Sequence, residues 1–142
     1  MRVAGAGASC DLAVISLYSD AGVAIFGREG QVVASTNSGN SWIYGFNNSY
    51  MTGDTVIGAW HYNNDTILYA DDRGTILMCF IKSGAIKFGR YGGESPNHAK
   101  YLSAFKTDDK WFYVAGVGPN LARAYGSSNS WKQLLALTKG TE

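Results

Sequence analysis

Several residue types are scarce, and each scarcity excludes something. Of 142 residues only two are cysteine, Cys10 and Cys79, with no Cys-x-x-Cys spacing, so a zinc site has no support. Two such distant thiols leave one disulfide open, although isolated cysteines behave as small buried hydrophobes. Only three Glu and two Gln are present, which removes the strongest surface-helix formers. Twelve Lys and Arg stand against eleven Asp and Glu, a net charge of +1, which argues against a basic stripe for nucleic acid. No apolar run approaches the length of a membrane-spanning helix, which takes about 18 residues or more. The opening MRVAGAGASC lacks the apolar core of a signal peptide or lipoprotein leader. The expectation is a soluble protein without membrane attachment, not secreted, cytoplasmic or part of a virion. Asn47-Asn48-Ser49 and Asn64-Asp65-Thr66 fit the glycosylation triplet, but a chain rich in Asn and Ser produces such triplets by chance.

What is abundant points to sheets. Eighteen glycines and 13% aromatic residues, in a chain that is 46% hydrophobic, describe an all-β domain with many tight turns. The chain also repeats. Trp42 and Trp131 are 89 residues apart, as are Gly27 and Gly116, while Gly30 and Gly74 are 44 apart. Three units follow, about 11–54, 55–98 and 99–142, behind an N-terminal extension 1–10. Each reads as four short strands separated by Gly, Asn and Asp turns, residues that accept the positive φ of tight hairpins. The first unit gives AVISLY, VAIF, QVVAS and SWIYGF; the second TVIGAWHY, TILYA, TILMCFI and AIKFG. The third gives KYLSAFK, WFYVAG, LARAYG and SWKQLLAL, the last with a weak helical period. Four-stranded units at this spacing describe the blades of a β-propeller, with a sandwich as the alternative.

One turn carries a resemblance. Ser35-Thr36-Asn37-Ser38-Gly39-Asn40-Ser41-Trp42 resembles the Asp box, or BNR repeat, of sialidase-like propellers, Ser-x-Asp-x-Gly-x-Thr-Trp. Asn37 stands at the Asp position and Ser41 at the Thr position. The third unit keeps Ser128, Ser130 and Trp131, with Gly126 at the Asp position, and the second has lost the Trp. The short side chain at 37 is expected to bond the turn's own backbone, Gly39 to give an unhindered main chain, and Trp42 to pack between sheets. The resemblance implies fold and not activity, because such boxes occur in enzymes, lectin-like proteins and assembly proteins alike. Arg28, Arg73, Arg90 and Arg123 stand in no matching motif, so no catalytic residue carries over.

Other chemical signals are weaker than their structural readings. Asp71-Asp72 and Asp108-Asp109 offer the paired carboxylates of glycoside hydrolysis, but they are predicted as solvated turn residues. His61 and His98 have no third ligand at metal spacing. Gly116-Val117-Gly118-Pro119 lacks the helix and Lys of a phosphate loop and reads as a hairpin turn. Trp60, His61, Tyr62 and Trp111 are candidates for stacking on a sugar or docking a partner, and Trp42, Tyr44 and Phe46 alternate along an outer strand. No enzymatic activity, cofactor or metal is expected.

Propellers close with about four blades or more, so three blades leave edges that another chain should cover. The expectation is a structural or assembly module in a homo-oligomer, either two copies closing a six-bladed ring or a larger assembly such as a phage virion. A glycan-binding lectin is the alternative and a divergent glycosidase the third reading.

Overall fold

The structure, a computed structural model, describes residues 12–17, 22–28, 30–47, 50, 54–63, 65–82, 84–92, 100–107, 110–117, 120–126 and 131–136. Twelve strands follow in chain order. They are β1 (Leu12–Leu17), β2 (Val23–Gly27), β3 (Gln31–Ser35), β4 (Ile43–Phe46), β5 (Val56–Asn63) and β6 (Thr66–Asp71). The remainder are β7 (Ile76–Lys82), β8 (Ala85–Arg90), β9 (Tyr101–Lys106), β10 (Trp111–Gly116), β11 (Asn120–Tyr125) and β12 (Lys132–Ala136). No helix occurs among the described residues, so none there is long and apolar enough to cross a membrane. Within the SWKQLLAL segment, Lys132–Ala136 form strand β12, which pairs with β11.

Consecutive strands pair antiparallel into three four-stranded sheets, β1–β4, β5–β8 and β9–β12. First strands of successive sheets adjoin, β1 beside β5 and β5 beside β9, and the outer strands β4 and β8 also meet. The second sheet is therefore covered on both faces. Strand alternation sends Ile67, Tyr69, Leu77 and Cys79 towards the first sheet, where they pack with Ala24, Phe26, Val32 and Ala34. Leu68, Ala70 and Ile76 point the other way and pack with Phe112 of the third sheet. This double burial explains why TILYAD is buried at all six positions, whereas β10 alternates along its length.

The joints between sheets use main-chain bonds. Arg28, just after β2, forms an antiparallel bridge with Thr55 at the entrance to β5. The corresponding turn after β6 accepts the next entering chain, with Tyr101 N donating to the Asp72 carbonyl at 2.7 Å. Inside the first joint, Asn47 Nδ2 donates to the Tyr69 hydroxyl at 2.7 Å, satisfying a phenol that is fully buried beside Phe26. Gly116 has a steric reason to recur. It sits opposite Tyr101 at a bulge, and a Cβ there would run into the Lys100 carbonyl and the Tyr101 main chain.

Asp71 and Asp72 correct the sequence reading. They lie at the β6–β7 turn as expected but are not solvated, being 0% and 9% exposed. Asp71 Oδ1 accepts the N–H groups of Arg73 (3.0 Å) and Thr75 (3.1 Å), and Asp72 Oδ1 accepts that of Asp54 at 2.9 Å. Short carboxylates replace solvent with turn amides, which offsets their burial. Cys79 is a free, buried thiol. Cys10, His98, Asp108, Asp109, Gly118, Pro119, Ser128 and Ser130 lie outside the described residues.

Trp131 packs against two inter-sheet clusters, the one that holds Phe112 and the one that holds Val114. Trp42 is half-buried, with its ring lying over Gly39. Trp131→Ala should cost about 3 kcal/mol, read as a shift in urea midpoint, and a loss below about 1 kcal/mol would contradict this packing.

Stability should also fall in alkali. Burial pushes the Cys79 thiol up from 9.0 to about 12, and burial raises the Tyr69 phenol as well. Both stay neutral in the folded chain at pH values where the unfolded chain ionises. Their stabilisation is complete below the ordinary values and is lost as pH rises through the folded ones. Urea midpoints should therefore drop between about pH 8 and about pH 10.5, and Cys79→Ala should drop less over that interval. A variant that fell as steeply as the parent would rule out the thiol's part.

Candidate functional site

The repeat identifies a surface. Ala24 pairs with Ala34 and Phe26 with Val32 on the face that the first sheet presents to the second. The positions 44 residues on, Leu68 paired with Met78 and Ala70 with Ile76, form the face presented to the third sheet. A further 45 residues on, Tyr113 pairs with Arg123 and Ala115 with Leu121. Those four positions look away from the second sheet, because their neighbours Phe112, Val114 and Ala122 face it. The first two sets are buried except for partly buried Met78, whereas Ala115 is exposed and the other three half-buried.

The neighbours extend this face. Phe105 lies opposite Tyr113, Ser103 opposite Ala115, and Tyr125 opposite Trp111. Phe105 is 62% exposed and Tyr125 46%. A shallow cavity of about 190 Å³ opens between Ser103, Phe105, Tyr113, Ala115 and Leu121. Towards the other end of the strands the Arg123 guanidinium lies 4.2 Å from the Trp111 ring centroid and donates to the Tyr113 hydroxyl at 3.2 Å. Val117, the counterpart of Arg28 and Asp72 at the two joints, is 54% exposed. No carboxylate lies on this face among the described residues, so its electrostatics come from Arg123 and the exposed Lys132 opposite it.

The sequence-predicted binding residues are distributed elsewhere. Trp60 points into the second joint, edge-on to Phe112 at 5.7 Å. Tyr62 is 40% exposed and leans on Tyr91, which in turn meets Phe112, while His61 is exposed between them on the opposite face of β5. Trp111 lies on the far face of the third sheet, with Tyr125 edge-on to it at 4.9 Å. The four therefore form no single patch. Tyr44 and Phe46 are exposed on β4, on the face of the first sheet away from the second, opposite Val33 and Gln31. Among the described residues no group of three His, Cys, Asp or Glu side chains gathers to hold a metal.

The Asp-box-like turn forms a closed hydrogen-bond set. Ser35 Oγ donates to Asn37 Oδ1 at 2.9 Å and accepts from the N–H of Gly39 at 2.8 Å. Asn37 Oδ1 also accepts from Ser41 N at 2.9 Å, and its Nδ2 donates to Ser41 Oγ at 2.8 Å. Ser38 and Gly39 take φ of 59° and 87°, the left-handed geometry that makes glycine valuable here. All of this serves the turn itself. Phe105, Tyr113, Leu121 and Tyr125 were absent from the sequence candidates, although stepping the buried positions 24, 26, 32 and 34 through the repeat leads to this face.

Asn37→Ala removes both bonds to Ser41 and should lower stability by about 1–2 kcal/mol, whereas Asn37→Asp keeps the acceptor and should change it by less than about 0.5 kcal/mol. Urea melts of both variants test this, and equal losses would mean that the side-chain acceptor does not hold the turn.

No family model matches the chain, and no curated protein matches it.

Proposed function

We propose that the chain is a non-enzymatic assembly module that joins copies of itself through the far face of the third sheet. The observation that carries this reading is the positional equivalence of Tyr113, Ala115, Leu121 and Arg123 with residues covered by a following sheet in the first two units. Covering Phe105, Leu121 and their neighbours removes apolar area from water, worth about 25 cal/mol per Å² before the cost of association. The composition suits a contact centre, since Trp, Tyr, Phe and Arg are the residues that anchor interfaces.

In this reading the three meanders are consecutive propeller-like blades, with β1, β5 and β9 as their inner strands. The Asp-box-like turn stiffens a hairpin and takes no part in recognition. Such a module suits a soluble component of a symmetric assembly, a phage virion among them.

Light scattering after gel filtration should give a mass of at least two chains at micromolar concentration. Phe105→Glu, at a residue 62% exposed, should return the mass to one chain, with a melting temperature that, unlike the parent's, does not change with protein concentration. A monomeric parent chain at high concentration would end the proposal.

A further inference from the structure

The β7–β8 hairpin outruns its counterpart in the first unit. Ala34 and Met78 are equivalent in the repeat, so β3, which ends at Ser35, corresponds to β7 only as far as Cys79. From there β7 continues through Phe80 and Lys82, opposite Lys87 and Ala85 of β8, where the first unit closes with its self-bonded turn. Ile76 and Met78 belong to the cluster shared with Phe112 of the third sheet. Alternation therefore puts Phe80 and Lys82 on that same face, with their ladder partners Lys87 and Ala85 beside them. A hollow of about 430 Å³ opens there, lined among the described residues by Phe80, Lys82, Ala85 and Lys87. It is more than twice the size of the one on the third sheet.

We propose that this hollow binds a small organic anion with a flat apolar body, an aromatic carboxylate being the simplest case. Its volume falls in the range of small-molecule sites, about 300–1,000 Å³. The Phe80 ring lies over Gly89, 3.8 Å from where a Cβ would stand, and its 37% exposure leaves apolar area for a ligand to cover. Lys82 and Lys87 are exposed and line the hollow, where their aliphatic stems add apolar wall while the ammonium groups stay at the wet rim. The two lie on a diagonal of the ladder, about 7–8 Å apart, so both can reach one carboxylate. Neither makes an ion pair with a described carboxylate. Asp65, next to them in the ladder, meets Ile81 through its carbonyl and has the parity of Ile67, which faces the first sheet. Two positive heads above an apolar floor favour an anion over a neutral or cationic ligand of the same shape. Nucleic acid would need a longer cationic track than two lysines. The site lies on the second sheet and is independent of the assembly reading.

The full chain is titrated by calorimetry with 2-naphthoate, with its neutral analogue 2-naphthamide, and with acetate, which has the charge but no apolar body. The expected result is saturable binding of one naphthoate per chain, about tenfold or more tighter than either of the others. The double variant Lys82→Gln, Lys87→Gln should bind naphthoate no better than naphthamide while keeping the parent's melting temperature. Phe80→Ala should weaken both naphthyl ligands, and Lys132→Gln, on the third sheet, should leave naphthoate binding unchanged. Absence of saturable binding, equal affinity for naphthoate and naphthamide, or an unchanged affinity in the double variant would each overturn the proposal. An equal loss in Lys132→Gln would do so too, since the charge would then act through the whole molecule rather than at this site. None of these outcomes depends on whether the chain associates with itself.

Discussion

Everything in this molecule depends on the demand that a strand apolar on both sides be covered on both sides. β6, with Leu68 and Ala70 pointing one way and Ile67 and Tyr69 the other, cannot exist at the surface of a two-layer structure. It needs a sheet on each flank, and the first and third sheets supply them. The chain meets that demand by making the same unit three times, so that one unit's outward face becomes the next unit's support. The joints hold through main-chain bonds at Arg28–Thr55 and Asp72–Tyr101, which leave the intervening side chains free to vary.

Short polar side chains then fix the hairpins. Asn37 and Ser35 gather the β3–β4 turn, Asp71 gathers the β6–β7 turn, and Thr107 Oγ1 accepts the N–H of Trp111 in the β9–β10 turn. Each satisfies amides that the ladder cannot reach. Three different connections thus use one device. A turn that bonds to itself in this way stabilises register, which matters most where a slip of one residue would exchange buried and exposed faces.

The strands were largely legible in the sequence, because turn glycines and Asn or Asp residues punctuate runs of β-branched and aromatic residues. The fourth strand of the third unit was ambiguous: Leu134, Leu135 and Leu137 carry no alternation that excludes a helix, and pairing with β11 decides the matter. Burial was less legible. Asp71 and Asp72 have the composition of solvated turn residues, and only their place at a joint removes them from water. Trp60 and Trp111 look alike in sequence, yet one strand's parity sends Trp60 into a joint and another's sends Trp111 away from it. The candidate surface was hidden because its residues are ordinary core formers; their meaning comes from having no described sheet opposite them.

The joint at the β6–β7 turn has a consequence for how such a chain acquires its shape. Every strand pairs with its neighbour in sequence, so each four-strand unit closes by short loops and at little entropic cost. The contacts between units are of longer range, among them the Tyr101 bond to the Asp72 carbonyl, the Thr55–Arg28 bridge and the Asn47–Tyr69 hydrogen bond. Such a topology favours local hairpin formation, with docking between units as the step that closes longer loops. A chain built this way adds a unit by adding one more joint, and leaves the pairing inside the existing units as it is.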